Sequence, residues 1–343
     1  MNTRSKKAAR LADVARLARV STATVSRALT LPHKVKAHTL ERVQRAAGAL
    51  GYVAHGAARA LASRRTHTIG AVVPTLDNAI FANTIHALQR TLDAAGYVLL
   101  LASHEFNAQT EVRVTRALME RGIDGLVLLG TTHHSDIYRM IEANGVPYVL
   151  TWAFDGRGSH PCVGFDNRAA AVRITDHLLD LGHRRFAVIS GITAQNERAQ
   201  ERLAGVRLAL AARGVGLAEE RVIEKPYTHA GGREGLRAVM AGRKPPTAVI
   251  CGNDVLAIGA IAECHAQGLS VPGDVSVTGF DDMEIAALMN PALTTVRFPT
   301  ADLGVYAANH LLARLEGKTV ELRRKLPTEL VLRGSAAAPK AVA

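Results

Sequence analysis

From residue 11 apolar side chains recur at helical spacing as Leu11, Val14, Ala15 and Ala18, break off at "RVS", and resume as Val25, Ala28 and Leu29. The spacing predicts two short helices. A third is predicted over about residues 39–50, where Leu40, Val43, Ala47 and Leu50 form a stripe and Gly51 supplies the stop. Ser21 is placed to cap the second helix by accepting from a free N–H of its first turn. With Val25, Ala28 and Leu29 turned inward, Thr22, Ala23, Ser26 and Arg27 face outward.

From residue 66 the pattern changes to short β-rich runs, "TIGAVV", "YVLLLAS", "DGLVLLG", "PYVLTW", "RFAVIS", "TAVICG" and "DVSVTGF". Between them lie amphipathic stretches at 79–95, 107–121, 167–181, 198–213 and 253–267. Strand and helix in turn predict two parallel α/β sheets in succession, hence two subdomains with a cleft between them. Ligands of such sheets bind outside the carboxyl ends of the strands. The residues there are Asp77, Asn78, Ile80 and Phe81 in the first half, and Arg198, Arg202, Asn253, Asp254, Asp281 and Asp282 in the second, with the single Trp152 at another strand end. Asn253 is as well placed to cap the helix after it as to meet a ligand.

Charge divides the chain at the same boundary. Residues 1–65 carry 14 Lys and Arg against only Asp13 and Glu41, which accounts for the whole formal excess of +12 and leaves the remainder balanced. A basic module joined to a neutral body points to a polyanion for the first part and a separate task for the second. A helix in a DNA major groove must fit a slot about 12 Å wide, which small hydroxyl-bearing residues and one reaching Arg suit. Arg19, Lys34, Lys36, Arg42 and Arg45 are the candidates for phosphate contacts around it. A three-helix bundle with an incidentally polar face shares the same pattern.

The order "LADVARLARVSTATVSRAL…VKAHTLERVQRAAGALGYVAHGAARALA" resembles the DNA-binding headpiece and hinge of the lactose-repressor (LacI) family, and the likeness continues to about residue 333. The resemblance implies an all-α helix-turn-helix headpiece (1–54), a hinge (55–65) and an α/β periplasmic-binding-protein-like core of two parallel-sheet subdomains (66–335). Its N-subdomain would take about 66–165 and 296–324, its C-subdomain about 166–295 and 325–335, leaving 336–343 as a low-complexity tail. Ser21, Thr22, Ala23, Thr24, Ser26 and Arg27 would then form the recognition segment, with Thr22, Ala23 and Arg27 reading bases and Leu61 wedged into the minor groove of a pseudo-palindromic double-stranded operator. Phe81 and Tyr227 would wall the effector site, and Arg202, Asn253 and Asp281 would be its polar anchors, with Arg198 beside them. The chain departs from the family pattern at Arg19, where Gly is usual, and at Ala54 and His55, where Pro-Asn is usual.

These readings converge on a homodimeric transcriptional regulator, most simply a repressor, since a half-site reader on a pseudo-palindrome needs two-fold symmetry. The effector implied is a sugar or, from Arg198 beside Arg202 and a likeness to the gluconate-type repressors, a sugar acid. The other classes are a sugar-modifying α/β enzyme or a solute-binding protein with a basic extension. Against an enzyme, there is no G-x-G-x-x-G, P-loop or G-x-S-x-G motif, the adjacent His133 and His134 read as exposed loop residues, and Asp281 and Asp282 are expected to point apart. No catalytic, metal or cofactor site is expected. Cys162, Cys251 and Cys264 form no C-x-x-C pair and read as buried free thiols. No apolar run approaches the ~18 residues of a membrane span and no signal peptide is legible, so a cytoplasmic protein is expected.

Overall fold

A computed structural model describes residues 9–53, 65–156 and 158–340, and Leu61 with nearly all of the hinge lies outside them. The chain forms two compact units, Met1–His67 and Thr68–Ala343.

In the first unit, α1 (Leu11–Ala18), α2 (Thr22–Thr30) and α3 (Ala37–Leu50) enclose a core of Val14, Ala15, Ala18, Val25, Ala28, Val43, Ala46 and Ala47, with Leu40 and Tyr52 against it. Small side chains let three short helices approach closely. The α1–α2 turn passes through Arg19 in the left-handed region (φ 52°, ψ 48°), the conformation that a glycine takes without strain. Arg42, expected to meet phosphate, instead donates Nε and Nη2 to the Ala18 carbonyl (3.2 and 2.7 Å) and Nη2 to the Arg19 carbonyl (3.1 Å). Its guanidinium thus ties down the carbonyls left open at the end of α1.

The second unit holds two six-stranded sheets. The first has the order β11 (Arg323–Lys325), β5 (Cys162–Gly164), β4 (Tyr148–Thr151), β3 (Gly125–Leu129), β1 (Thr68–Val73), β2 (Val98–Ser103). The second has β12 (Glu329–Val331), β10 (Thr294–Arg297), β9 (Ser276–Asp281), β8 (Ala248–Cys251), β6 (Phe186–Gly191), β7 (Val222–Lys225). All pairs are parallel except β10 with β12. Crossover helices cover both faces: α4 (Ala82–Ala94), α5 (Ala108–Glu120), α6 (Ser135–Asn144) and α12 (Thr300–Leu315) on the first sheet. α7 (Asn167–Asp180), α8 (Glu197–Ala212), α9 (His229–Met240) and α10 (Asp254–Ala266) cover the second, with the short α11 (Glu284–Leu288) after β9. Central strands covered on both faces are apolar throughout, as "GLVLL" in β3 is.

The chain passes between the sheets three times, after β5, β10 and β11. Val296 and Arg297, assigned from sequence to the N-subdomain, pair within the second sheet as part of β10. The three cysteines are buried free thiols.

The segment read as a tail is docked as far as residue 340. Ser335 is buried, its Oγ donating to the Val277 carbonyl (2.6 Å) and accepting from Thr294 N (2.8 Å). The Ala337 carbonyl accepts from His183 Nε2 (2.9 Å) and from Ser276 Oγ (3.1 Å), and Lys340 pairs with Asp274. An Ala-Pro composition looks unstructured, but here its backbone supplies the hydrogen bonds. Ser335→Ala, which leaves Thr294 N and the Val277 carbonyl buried without partners, should cost about 2–4 kcal/mol in denaturant unfolding. Arg19→Gly should be neutral to stabilising by up to about 1 kcal/mol in the same measurement, because it relieves a left-handed non-glycine residue.

Candidate functional site

The headpiece presents Ser21, Thr22, Ala23, Ser26 and Arg27 on the exposed side of α2, with Thr24 half-buried. Ser21 Oγ accepts from Thr24 N (3.1 Å), so the serine that opens the face also caps the helix. Arg27 has no carboxylate partner among the described residues, which leaves its guanidinium available to an outside acceptor. The face carries one charge and three hydroxyls on a helix whose opposite side is fully packed.

In the second unit the carboxyl ends of the two sheets carry the other candidates. Arg202, on α8, is only 7% exposed. It donates Nε to Asn167 Oδ1 (2.9 Å) and Nη1 to the Gly252 carbonyl (2.6 Å), and its Nη2 lies 3.8 Å from Asp281. Its flat faces rest on Phe280 and Phe298, 4.9 and 5.0 Å from the ring centres. From Phe298 an aromatic series runs on through Phe165 (stacked, 4.0 Å) and Trp152 (5.8 Å) to Phe81 (4.9 Å, edge-on). Phe81 and Arg202 therefore belong to one continuous wall, and Trp152 is its middle. Tyr227 stands apart from this series, packed over Gly191, where a Cβ would come within 2.1 Å of its ring.

Several polar atoms on this wall are buried and unpaired: both carboxylate oxygens of Asp281, Trp152 Nε1 and Asn253 Nδ2. Asn253 does cap α10, its Oδ1 accepting from Leu256 N (2.9 Å), and the same side chain keeps its amide nitrogen free. Burial raises the Asp281 carboxyl to about 7, against the pull of the Arg202 and Arg198 guanidinia that lower it. Asp254 next to Asn253 is a supporting group, accepting from Thr295 Oγ1 (2.6 Å) and Met283 N (2.8 Å). Asp282 points away from Asp281 and pairs with Arg297 (2.7 Å) and Arg333 (2.6 Å).

Two sequence expectations change. Arg198 does not stand free for a ligand carboxylate: its Nη1 pairs with Glu197 (3.0 Å), whose Oε1 also accepts from Thr131 N (3.0 Å) on the opposite sheet. Gly130 makes this approach possible, because a Cβ there would lie 2.6 Å from the Arg198 guanidinium. His133 is not an exposed loop residue either. Its side chain is 2% exposed, with Nδ1 2.6 Å from Glu111 Oε1 and Nε2 3.2 Å from the Gly130 carbonyl. Sequence reasoning missed Glu197, Asn167, Glu111, His104, Phe106 and Phe298. The strand-end rule reaches His104 and Phe298, each directly after a strand, whereas no local signal marks the others.

Comparison with known proteins agrees with this architecture. The family model described as bacterial regulatory proteins, lacI family, matches residues 10–55, and that of the periplasmic binding protein-like domain matches residues 175–336. The HTH-type transcriptional repressor CytR of Escherichia coli (strain K12) is 33% identical over 329 residues, 96% of each chain. The transcription regulator GntR from Chromobacterium violaceum superposes with a TM-score of 0.75 at 33% identity, covering 78% of this chain and 99% of that one. The lac repressor dimer bound to operator and the anti-inducer ONPF gives 0.84 at 26% identity, covering 97% and 100%. With a recognition-type headpiece, a two-sheet core and near full-length identity to a repressor all in the same order, the chain belongs to the LacI family of bacterial regulatory proteins.

Proposed function

We propose that this chain regulates transcription as a homodimer, each headpiece reading one half of a pseudo-palindromic operator through Thr22, Ala23 and Arg27, with a small polyhydroxylated effector held between the two sheets. Leu61 enters this reading through the sequence alone. The observation that supports the effector most directly is the Asp281 carboxylate, buried with neither oxygen hydrogen-bonded, next to an Arg202 whose other donors are already used. Adjacent hydroxyls would donate to Asp281 and accept from Asn253 Nδ2 and Trp152 Nε1, whereas an apolar ligand would leave all of them unpaired.

The charge arrangement favours a neutral sugar over a sugar acid. Each guanidinium faces its own carboxylate, Arg198 that of Glu197 and Arg202 that of Asp281, so a ligand carboxylate would meet no unmatched cation. A stability cost accompanies this design. The folded Asp281 carboxyl titrates near 7 instead of 3.8, so it binds a proton in the folded state over a range where the unfolded chain has lost it. Its contribution is therefore intact below about pH 4 and is lost as the pH rises to about 7, by roughly 4 kcal/mol over the window.

Arg27→Ala should relax base preference at one operator position at a cost of about 1–3 kcal/mol, measured by binding-site selection; equal weakening on every sequence would make Arg27 a phosphate contact. Asp281→Asn should leave operator binding intact and weaken the effector response more than tenfold in a gel-shift titration. The same variant should unfold at a higher temperature than the parent at pH 8 without ligand, with the difference shrinking toward pH 4. Retained effector response in this variant would remove Asp281 from the site.

A further inference from the structure

The wall at the strand ends is longer than the hydroxyl-binding groups just described occupy. Trp152 follows β4 and His104 follows β2, and the order β4–β3–β1–β2 places three inter-strand spacings, about 14 Å, between those strand ends. At the far end His104 is 8% exposed and its Nδ1 is buried without a partner. Its neighbours Glu111 and His133 are taken up with each other, which leaves His104 as the group there with an open ring nitrogen. Burial lowers its pKa, with Glu111 acting against that and His133 and Arg198 with it, so the ring is neutral near pH 7. Phe106 stands edge-on to it at 6.3 Å and lies 6.4 Å from Tyr227 of the second sheet. Glu105 and Phe106 both hold left-handed backbone (φ 49° and 56°), strain of about 1 kcal/mol or more each, at the turn that sets Phe106 against Tyr227.

We propose that His104, Phe106 and Tyr227 form a second subsite, and that the effector is a two-ring glycoside. One ring meets Asp281, Asn253 and Trp152; the other lies against Phe106 and Tyr227 with a hydroxyl on His104. This rests on the reading of the strand-end wall as a hydroxyl-binding site. A single pyranose is too short to use Trp152 and His104 together, so a one-ring ligand leaves His104 Nδ1 unpaired. A neutral imidazole exchanges one donor and one acceptor with a hydroxyl, and a second sugar or an aryl aglycone supplies a flat face for the two aromatic rings.

The test is calorimetric titration of the full-length protein with D-glucose, D-galactose, D-mannose, D-xylose and D-ribose, each paired with its disaccharides and its p-nitrophenyl glycosides. At least one two-ring ligand should bind ten times or more tightly than its one-ring partner. His104→Ala should reduce that ratio at least tenfold, with His104→Gln restoring part of it. Tyr227→Leu, on the other sheet, should show the same selective loss, which guards against a His104 variant that folds poorly. Equal affinity for one-ring and two-ring ligands, or a ratio that both variants leave unchanged, overturns the second subsite and leaves the Asp281 site standing. Binding of no member of any pair, or binding that Asp281→Asn does not alter, overturns the hydroxyl-binding reading itself and this inference with it.

Discussion

A guanidinium removed from water survives only if its donors are used and its charge is answered, and the effector half of this protein is arranged around that requirement at Arg202. One side chain on α8 reaches the start of α7 through Asn167, the end of β8 through the Gly252 carbonyl and the end of β9 through Asp281. Its faces need apolar support, which Phe280 and Phe298 provide. Phe298 stacks in turn on Phe165, the planes only 6° apart. Phe165 and Phe298 follow β5 and β10, two of the places where the chain passes from sheet to sheet. The cation beside the ligand-facing carboxylate is thus packed directly on the segments that must bend if the two sheets move.

This arrangement keeps strain and unpaired polarity at one edge of an otherwise well-satisfied fold. Left-handed non-glycine residues occur at Glu105, Phe106, Trp152, Gln195, Asp281 and Asp282, each at or just beyond the carboxyl end of a strand. Asp281, Trp152, Asn253 and His104 add buried atoms without hydrogen bonds in the same zone. Buried polar groups are nearly always paired in native proteins, so a cluster of exceptions at the strand ends needs a cause outside the chain. Ligand binding supplies one, because strain that folding tolerates here is offset when a partner arrives.

Much of this was legible from the sequence where the signal is local. The apolar runs of β1, β3 and β6 and the stripes of α1–α3 are set by side-chain period, and the strand-end rule reaches Phe81, Arg202, Asn253 and Asp281 from topology alone. What escaped depends on distant partners. Cys162–Gly164 and Arg323–Lys325 are three-residue strands that exist because a neighbouring strand offers hydrogen bonds, and their composition does not announce it. His133 looks like any polar loop residue until Glu111, 22 positions earlier, is folded against it. Arg42 and Arg198 read as free cations because charge can be counted in a sequence, whereas the carbonyls and carboxylate that engage them cannot be assigned without the fold.

The same unpaired atoms bound how strongly an effector can act. A ligand shifts a conformational equilibrium only by the difference in its affinity for the two arrangements. Satisfying one buried orphan recovers about 1–3 kcal/mol, and Asp281, Trp152 and Asn253 belong to both sheets: Trp152 ends β4 of the first, the other two end β9 and β8 of the second. Only an arrangement that brings both sheets to the ligand recovers all of these terms, so the closed form gains what the open form cannot. A surplus of that size corresponds to the 5- to 150-fold changes in affinity typical of coupled sites. It reaches the DNA-binding half through β1, which runs unbroken from Thr68, where the core begins, to Val73 at the cleft edge. Because a strand neither stretches nor folds under such loads, rotation of the first sheet about its three crossings must carry the attachment point of the headpiece with it.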